Sequence, residues 1–318
     1  MFVNYLANIT PMADQATKKP VIRQGWLRVL LFAIVFGVLT LLIAIPAIGV
    51  VVAGISLDQL KAETITSLSQ TLMTNYFWLI VMVELAVSFI SVAIFRLWID
   101  RRSLGSLGWS LDAFPNEAVT GLFMGPALLG IAALLMKASG HLEWTDITWD
   151  PSTTFVSLGL MAFIAFSEEL VFRGYVLGNL MESFSNKWVA LILSALLFAI
   201  FHFANPGLHT LAFVNLFLAG TLLGINYIYT KNLWFSFFFH LSWNFFQGPI
   251  LGFHVSGFQL PSVLVAEPKG DLSITGGDFG LEGSILTTAV SVIALCVLAL
   301  VFEKKYRQAS SSTAPGPT

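Results

Sequence analysis

Apolar residues run along this chain in long blocks broken by short polar joints. They show neither the spaced stripe of a surface helix nor the alternation of a half-buried strand. A bilayer core of about 30 Å takes roughly 20 apolar residues in helical form, and eight blocks approach that length. They lie near 26–52, 76–98, 117–137, 153–180, 187–203, 209–230, 233–250 and 284–302. The block at 187–203 is short, and the one at 153–180 carries charges. The pattern predicts an all-α protein, a polytopic membrane helix bundle with about eight transmembrane helices. It divides the chain into an N-terminal segment 1–25, a transmembrane domain 26–302 and a disordered tail 303–318, Ser/Pro-rich from Ala309 on.

Composition makes the solvent plain. Hydrophobic residues are 56% of the chain, charged residues 11%, and mean hydropathy is +0.81. Soluble domains are about a quarter charged, so a soluble enzyme, a disordered protein and a disulfide scaffold are excluded; Cys296 stands alone. A formal charge of −2 supplies no basic field, so no nucleic-acid partner is expected. The partner implied is the lipid bilayer, and 28 Phe with 9 Trp suit a lipid-facing surface with interfacial anchors.

Lys and Arg set the orientation. With an even number of spans one side collects Lys18, Lys19, Arg23, Arg28, Arg96, Arg101, Arg102, Lys187, Lys231, Lys304, Lys305 and Arg307. The other collects only Lys61, Lys137 and Lys269. Both termini are therefore expected in the cytoplasm, in the style of a bacterial plasma-membrane protein. The first 25 residues lack the pattern of a signal peptide, and the Asn8-Ile9-Thr10 sequon should be idle on that side.

Charged groups at membrane depth cost about 2.5–3.5 kcal/mol each on insertion scales, so each needs a partner or a task. The fourth block holds Ser167-Glu168-Glu169-Leu170-Val171-Phe172-Arg173. Glu169 and Arg173 are four apart on one helical face and can pair. Glu168 points about 100° away, leaving its carboxylate free for chemistry; a purely structural polar cluster is the competing reading. The fifth block ends Phe198-Ala-Ile-Phe-His202 before the helix-stopping Asn205-Pro206-Gly207. A lone membrane histidine is more often a hydrogen-bonded packing residue than a ligand. In the seventh block His240-Leu-Ser-Trp-Asn244 puts imidazole and amide on one face. They can glue helices together or offer donors to an oxyanion. Glu84 has no motif around it and reads as a structural partner or a cavity-lining residue. His141, His209 and His254 read as ordinary. The turn between the fourth and fifth blocks should fall near 183–186. Glu168 lies about 16 residues before it and His202 about 17 after, so an antiparallel hairpin brings them to one depth. One acid, two imidazoles and an amide in one cavity can activate a water and stabilise a tetrahedral oxyanion.

These residues, in this order, resemble the CAAX prenyl protease and bacteriocin-processing family of intramembrane endopeptidases. Its pattern E-E-x-x-x-R, F-x-x-x-H and H-x-x-x-N is met by Glu168-Glu169…Arg173, Phe198…His202 and His240…Asn244. The resemblance covers about 150–257, and Arg101-Arg102-Ser-Leu-Gly-Ser-Leu-Gly is also similar to bacterial members. It implies a catalytic set of Glu168, Glu169, Arg173, His202, His240 and Asn244. Glu168 would be general base, with His202 assisting. His240 and Asn244 would hold the oxyanion, and Glu169 with Arg173 would hold the site together. Glu168, His202 and His240 would ligate a divalent metal such as zinc only if one is present, since three such donors make an open zinc site. The function expected is an intramembrane endopeptidase acting on a membrane-associated peptide or protein. A non-proteolytic scaffold or regulator of the same family and a proton-coupled carrier are the alternatives.

Overall fold

The computed structural model describes residues 19–53, 65–110 and 114–312. Among the described residues eight long helical segments follow one another: α1 (Gly25–Ala53), α2 (Ile65–Ile94, continued by a π turn Phe95–Ile99), α3 (Pro115–Ala138), α4 (Pro151–Glu169, continued by a π segment Leu170–Leu177 and by Gly178–Ser183), α5 (Lys187–Phe201), α6 (Thr210–Gly224), α7 (Trp234–Phe245, continued by a π turn Phe246–Ile250) and α8 (Ile285–Ser312). Among the described residues seven helices are long and apolar enough to cross a membrane. The block expected at 233–250 is the one left out. Its 12 residues of α-helix and 5 of π-helix fall short, and it lies inside the bundle.

The surface confirms the solvent. Phe123, Leu42 and Leu300 are 68%, 63% and 74% exposed, as side chains are when lipid replaces water. Polar groups point inward instead. Arg28 on α1 reaches Asp100 at 2.9 Å and Glu182 at 2.6 Å. Arg96 reaches Asp100 at 3.0 Å, and Arg102 pairs with Glu182. This ion network ties α1, α2 and α4 together at one end of the bundle.

Local sequence explains where α4 starts. Asp150 caps it, accepting the backbone N–H of Ser152 and Thr153 and the hydroxyls of both, with Pro151 in the first turn. Those bonds, from Thr153 first and Ser152 next, hold the Asp150 carboxyl below the usual range. Asn186 caps α5 by accepting Trp188 N–H at 2.9 Å, so the α4–α5 hairpin turns at 183–186 as expected.

Close packing then places α7. Gly121 and Gly125 of α3 form a small-xxx-small pair against it. A Cβ on Gly121 would overlap the Phe235 carbonyl, and one on Gly125 would lie 2.6 Å from the Trp243 backbone nitrogen. Only glycine lets the helix bearing His240 and Asn244 come this near.

Two features depart from the simple run of apolar blocks. The loops around 141–150 and 251–283 form a two-stranded antiparallel sheet, β1 (Leu142–Ile147) with β2 (Leu264–Pro268), because both loops emerge at the same end of the bundle. The segment expected to be disordered from 303 is helical to Ser312. Lys305 and Tyr306 reach Glu117 of α3, and Glu303 meets Lys187 and Tyr229, so side-chain contacts hold this turn of helix. The sequon at Asn8 and residues 313–318 lie outside the described residues.

Gly125→Ala is expected to lower stability by about 1–3 kcal/mol, the usual cost of overpacking. Gly130→Ala, whose Cβ would meet only the Phe246 ring at 3.8 Å, should be neutral or mildly stabilising. Thermal unfolding of both variants in detergent checks the contrast.

Candidate active site

One cavity of about 210 Å³ opens within the bundle. Glu168, His202, His240 and Asn244 all line it, along with Glu84, Ser256 and Glu282; most of the remaining wall is apolar. The four sequence-chosen residues are each buried, between 5% and 8% exposed.

The pair anticipated from helical spacing is formed. Glu169 Oε1 accepts from Arg173 Nη1 at 2.8 Å. The same oxygen also accepts from His240 Nδ1 at 2.9 Å, a bond that spacing on one helix cannot reveal. Arg173 donates its other nitrogen to Gly220 O at 3.0 Å and lies over the Phe198 ring at 4.6 Å. Glu169 and Arg173 therefore stand behind the cavity wall.

Phe198 does two things at once. Its ring covers Arg173, and its carbonyl oxygen accepts from His202 Nδ1 at 2.7 Å. Such carbonyls and carboxylates only accept, so the Nδ1 proton of each histidine is fixed by its partner. In the neutral ring both Nε2 atoms are then left as bare acceptors. They face Glu168 Oε2, at 3.8 Å from His202 and 3.9 Å from His240. That oxygen is buried and has no hydrogen-bond partner among the described residues. Three polar atoms converge on one spot, and a molecule that hydrogen-bonds to them can bridge the gaps.

The π segment begins right after Glu169. A π turn inside an α-helix displaces the backbone register and is frequent at functional sites. Within it the Phe172 carbonyl accepts a hydrogen bond from the Ser194 hydroxyl of α5 at 2.9 Å. The α4–α5 contact that aligns Glu168 with His202 is thereby fixed by a hydrogen bond.

Among the described residues no group of three or more His, Cys, Asp and Glu is placed to hold a metal ion. Bonds of 2.0–2.1 Å at tetrahedral angles set ligand atoms roughly 3.3 Å apart. Glu168 Oε2 stands farther than that from each imidazole, so the three residues do not fit a zinc centre as arranged.

Other polar residues sort themselves by position. Glu84 of α2 is half-buried in the cavity wall and accepts from Ser167 Oγ at 3.4 Å. His141, His209 and His254 do not line the cavity. Glu282, which the sequence did not single out, does line it, from a glycine-rich stretch just before α8. No motif surrounds it, and the only available signal was a carboxylate set beside a membrane-length apolar block. Burial pushes its carboxyl up, against the pull of bonds from Ser256 and Trp243.

The hydrogen-bond pattern separates the two adjacent glutamates. Glu169→Gln would leave Arg173 buried without its counter-charge and is expected to cost about 3–5 kcal/mol. Glu168→Gln breaks no ion pair with Arg or Lys and should leave the melting temperature nearly unchanged. Equal losses in a detergent melt would contradict the arrangement.

Residues 150–246 match the family model described as type II CAAX prenyl endopeptidase Rce1-like. No curated protein and no solved structure matches the chain. The seven apolar helices support an integral membrane protein. The matched segment 150–246 contains all three motifs, and the match is to the CAAX prenyl endopeptidase family that those motifs resemble.

Proposed function

We propose that the protein is an intramembrane endopeptidase in which Glu168 activates a water molecule against a peptide bond. The observation that carries this reading is the unpartnered, buried Glu168 oxygen facing two imidazole nitrogens across gaps of 3.8 and 3.9 Å. A water in that gap donates its hydrogens to two of the three acceptors, which directs an oxygen lone pair at an incoming carbonyl carbon.

The partners behind the two imidazoles give them different tasks. His202 has a neutral carbonyl behind it, which suits a ring that stays neutral and helps hold the water. His240 has the Glu169 carboxylate behind it, which supplies a counter-charge when the ring carries a proton. It can then donate Nε2–H to the oxyanion, with Asn244 as second donor. Water attacks as Glu168 takes its proton, and a tetrahedral intermediate forms. Glu168 next returns the proton to the amide nitrogen, the C–N bond breaks, and an amine and a carboxylic acid leave, the acid then giving its proton to the amine or to solvent. Glu169 and Arg173 hold His240 in place. No step passes through a metal.

The substrate class is a peptide or protein anchored in or at the membrane, to which the name of the matched family adds the CAAX end as a probe. The Lys/Arg asymmetry and eight successive helical segments support both termini in the cytoplasm of a bacterial cell.

The test is cleavage of an internally quenched farnesylated peptide with a CAAX end by the protein in proteoliposomes, together with a census of protein termini in the host membranes. Glu168→Gln and His240→Ala are expected to lose at least 10²-fold in rate. Dialysis against a chelator should leave the rate unchanged, whereas loss restored by zinc would assign water activation to a metal. Absence of cleavage with identical termini in wild type and Glu168→Gln would leave the scaffold reading in its place.

A further inference from the structure

The cavity is closed at the end away from the Arg28–Asp100 network by a tight turn. Val255 and Phe258 form an isolated antiparallel bridge, and Val255, Ser256 and Phe258 all face the cavity. Ser256 sits in left-handed backbone, φ +49°, which is costly for a residue with a Cβ. Something must hold it there. Its carbonyl accepts from Asn205 Nδ2 at 3.0 Å, three residues beyond His202. Its N–H and its hydroxyl both donate to Glu282 Oε2 at 2.8 Å. The other carboxylate oxygen, Glu282 Oε1, accepts from Trp243 Nε1 at 3.0 Å. Trp243 is the chain neighbour of Asn244.

Glu282 is itself fixed from behind. Asn215 of α6 donates to the Glu282 and Ser284 carbonyls, at 2.6 and 2.9 Å. Thr288 of α8 donates to Asn215 Oδ1 at 2.6 Å, and Thr287 donates to Leu281 O at 2.6 Å. A carboxylate on a rigid backbone thus takes three donors from two separate elements, the seventh helix and the closing turn.

We propose that Glu282 is a positioning residue of the hydrolytic site: its carboxylate locks Trp243, and through it Asn244, to the turn that closes the cavity. This rests on the reading that the cavity hydrolyses a peptide with Asn244 as an oxyanion donor. Only a carboxylate serves, because all three partners are donors. A glutamine has one acceptor oxygen, and its amide group would face a donor it cannot satisfy. Removing the charge therefore breaks the lock with almost no change in volume.

Glu282→Gln is the test, run on the full chain in proteoliposomes with the farnesylated peptide as probe and with backbone hydrogen exchange over 253–258 as a second readout. Exchange there is expected to rise about 10- to 100-fold, and kcat to fall about 10- to 100-fold with KM within about twofold. Trp243→Phe, which removes the Nε1–H donor together with part of the indole ring and keeps an aromatic side chain, should reproduce the kcat loss if the glutamine variant does not fold. A purely structural role would lower the amount of folded protein and leave kcat per folded molecule unchanged. Normal kcat in Trp243→Phe, or unaltered exchange in Glu282→Gln, overturns the proposal while the hydrolytic reading stands. A wild type that cuts neither the probe nor any membrane protein overturns the hydrolytic reading, and the positioning role with it.

Discussion

A single carboxylate oxygen, Glu169 Oε1, accepts from both an arginine and a histidine in the middle of an apolar bundle, and the rest of the site is arranged around that sharing. Burying a guanidinium is costly unless an anion and further acceptors surround it. Glu169, the Gly220 carbonyl and the Phe198 ring surround Arg173 from three helices. Those helices must therefore meet at one depth. Once they do, Phe198 orients His202 through its carbonyl, Glu169 orients His240, and both rings turn their second nitrogen towards Glu168. The costly charge pair is what brings the neutral machinery into register.

The membrane shapes the surroundings in two ways. With lipid outside, helices gain little from hiding apolar side chains from one another, so association relies on close backbone approach and polar bonds. Gly121 and Gly125 supply the approach for α7, and the Ser194–Phe172 bond supplies the polar tie for α5. At one end the Arg28, Arg96, Asp100 and Glu182 network joins α1, α2 and α4. At the other, Glu282 joins the closing turn to α7. The level of Glu168, His202 and His240 lies between two hydrogen-bonded ends.

The seventh of the eight helical segments carries a large share of the cavity's polar groups. Trp234–Ile250 carries His240, Trp243 and Asn244, and it falls short of a membrane-length helix. Buried against α3, α4 and α6 instead of facing lipid, it has no need of the full length that lipid contact would demand. Its length follows from its place in the bundle.

The amino-acid sequence by itself determined the solvent, the helical class, the order of the apolar blocks and the Glu169–Arg173 pair. Each of these depends on composition or on spacing along one helix, which primary structure fixes. The three motifs also marked a family segment that the family match over 150–246 bears out. What only tertiary structure decided lies between elements. Glu169 reaches His240 across 71 positions, and Trp243 reaches Glu282 across 39. Whether Asn205 merely stops a helix or also ties down the closing turn, and whether Lys305 and Tyr306 reach α3, depended on neighbours far along the chain. No periodicity encodes such contacts, because they arise when separately determined helices are pressed together by the need to pair every buried charge.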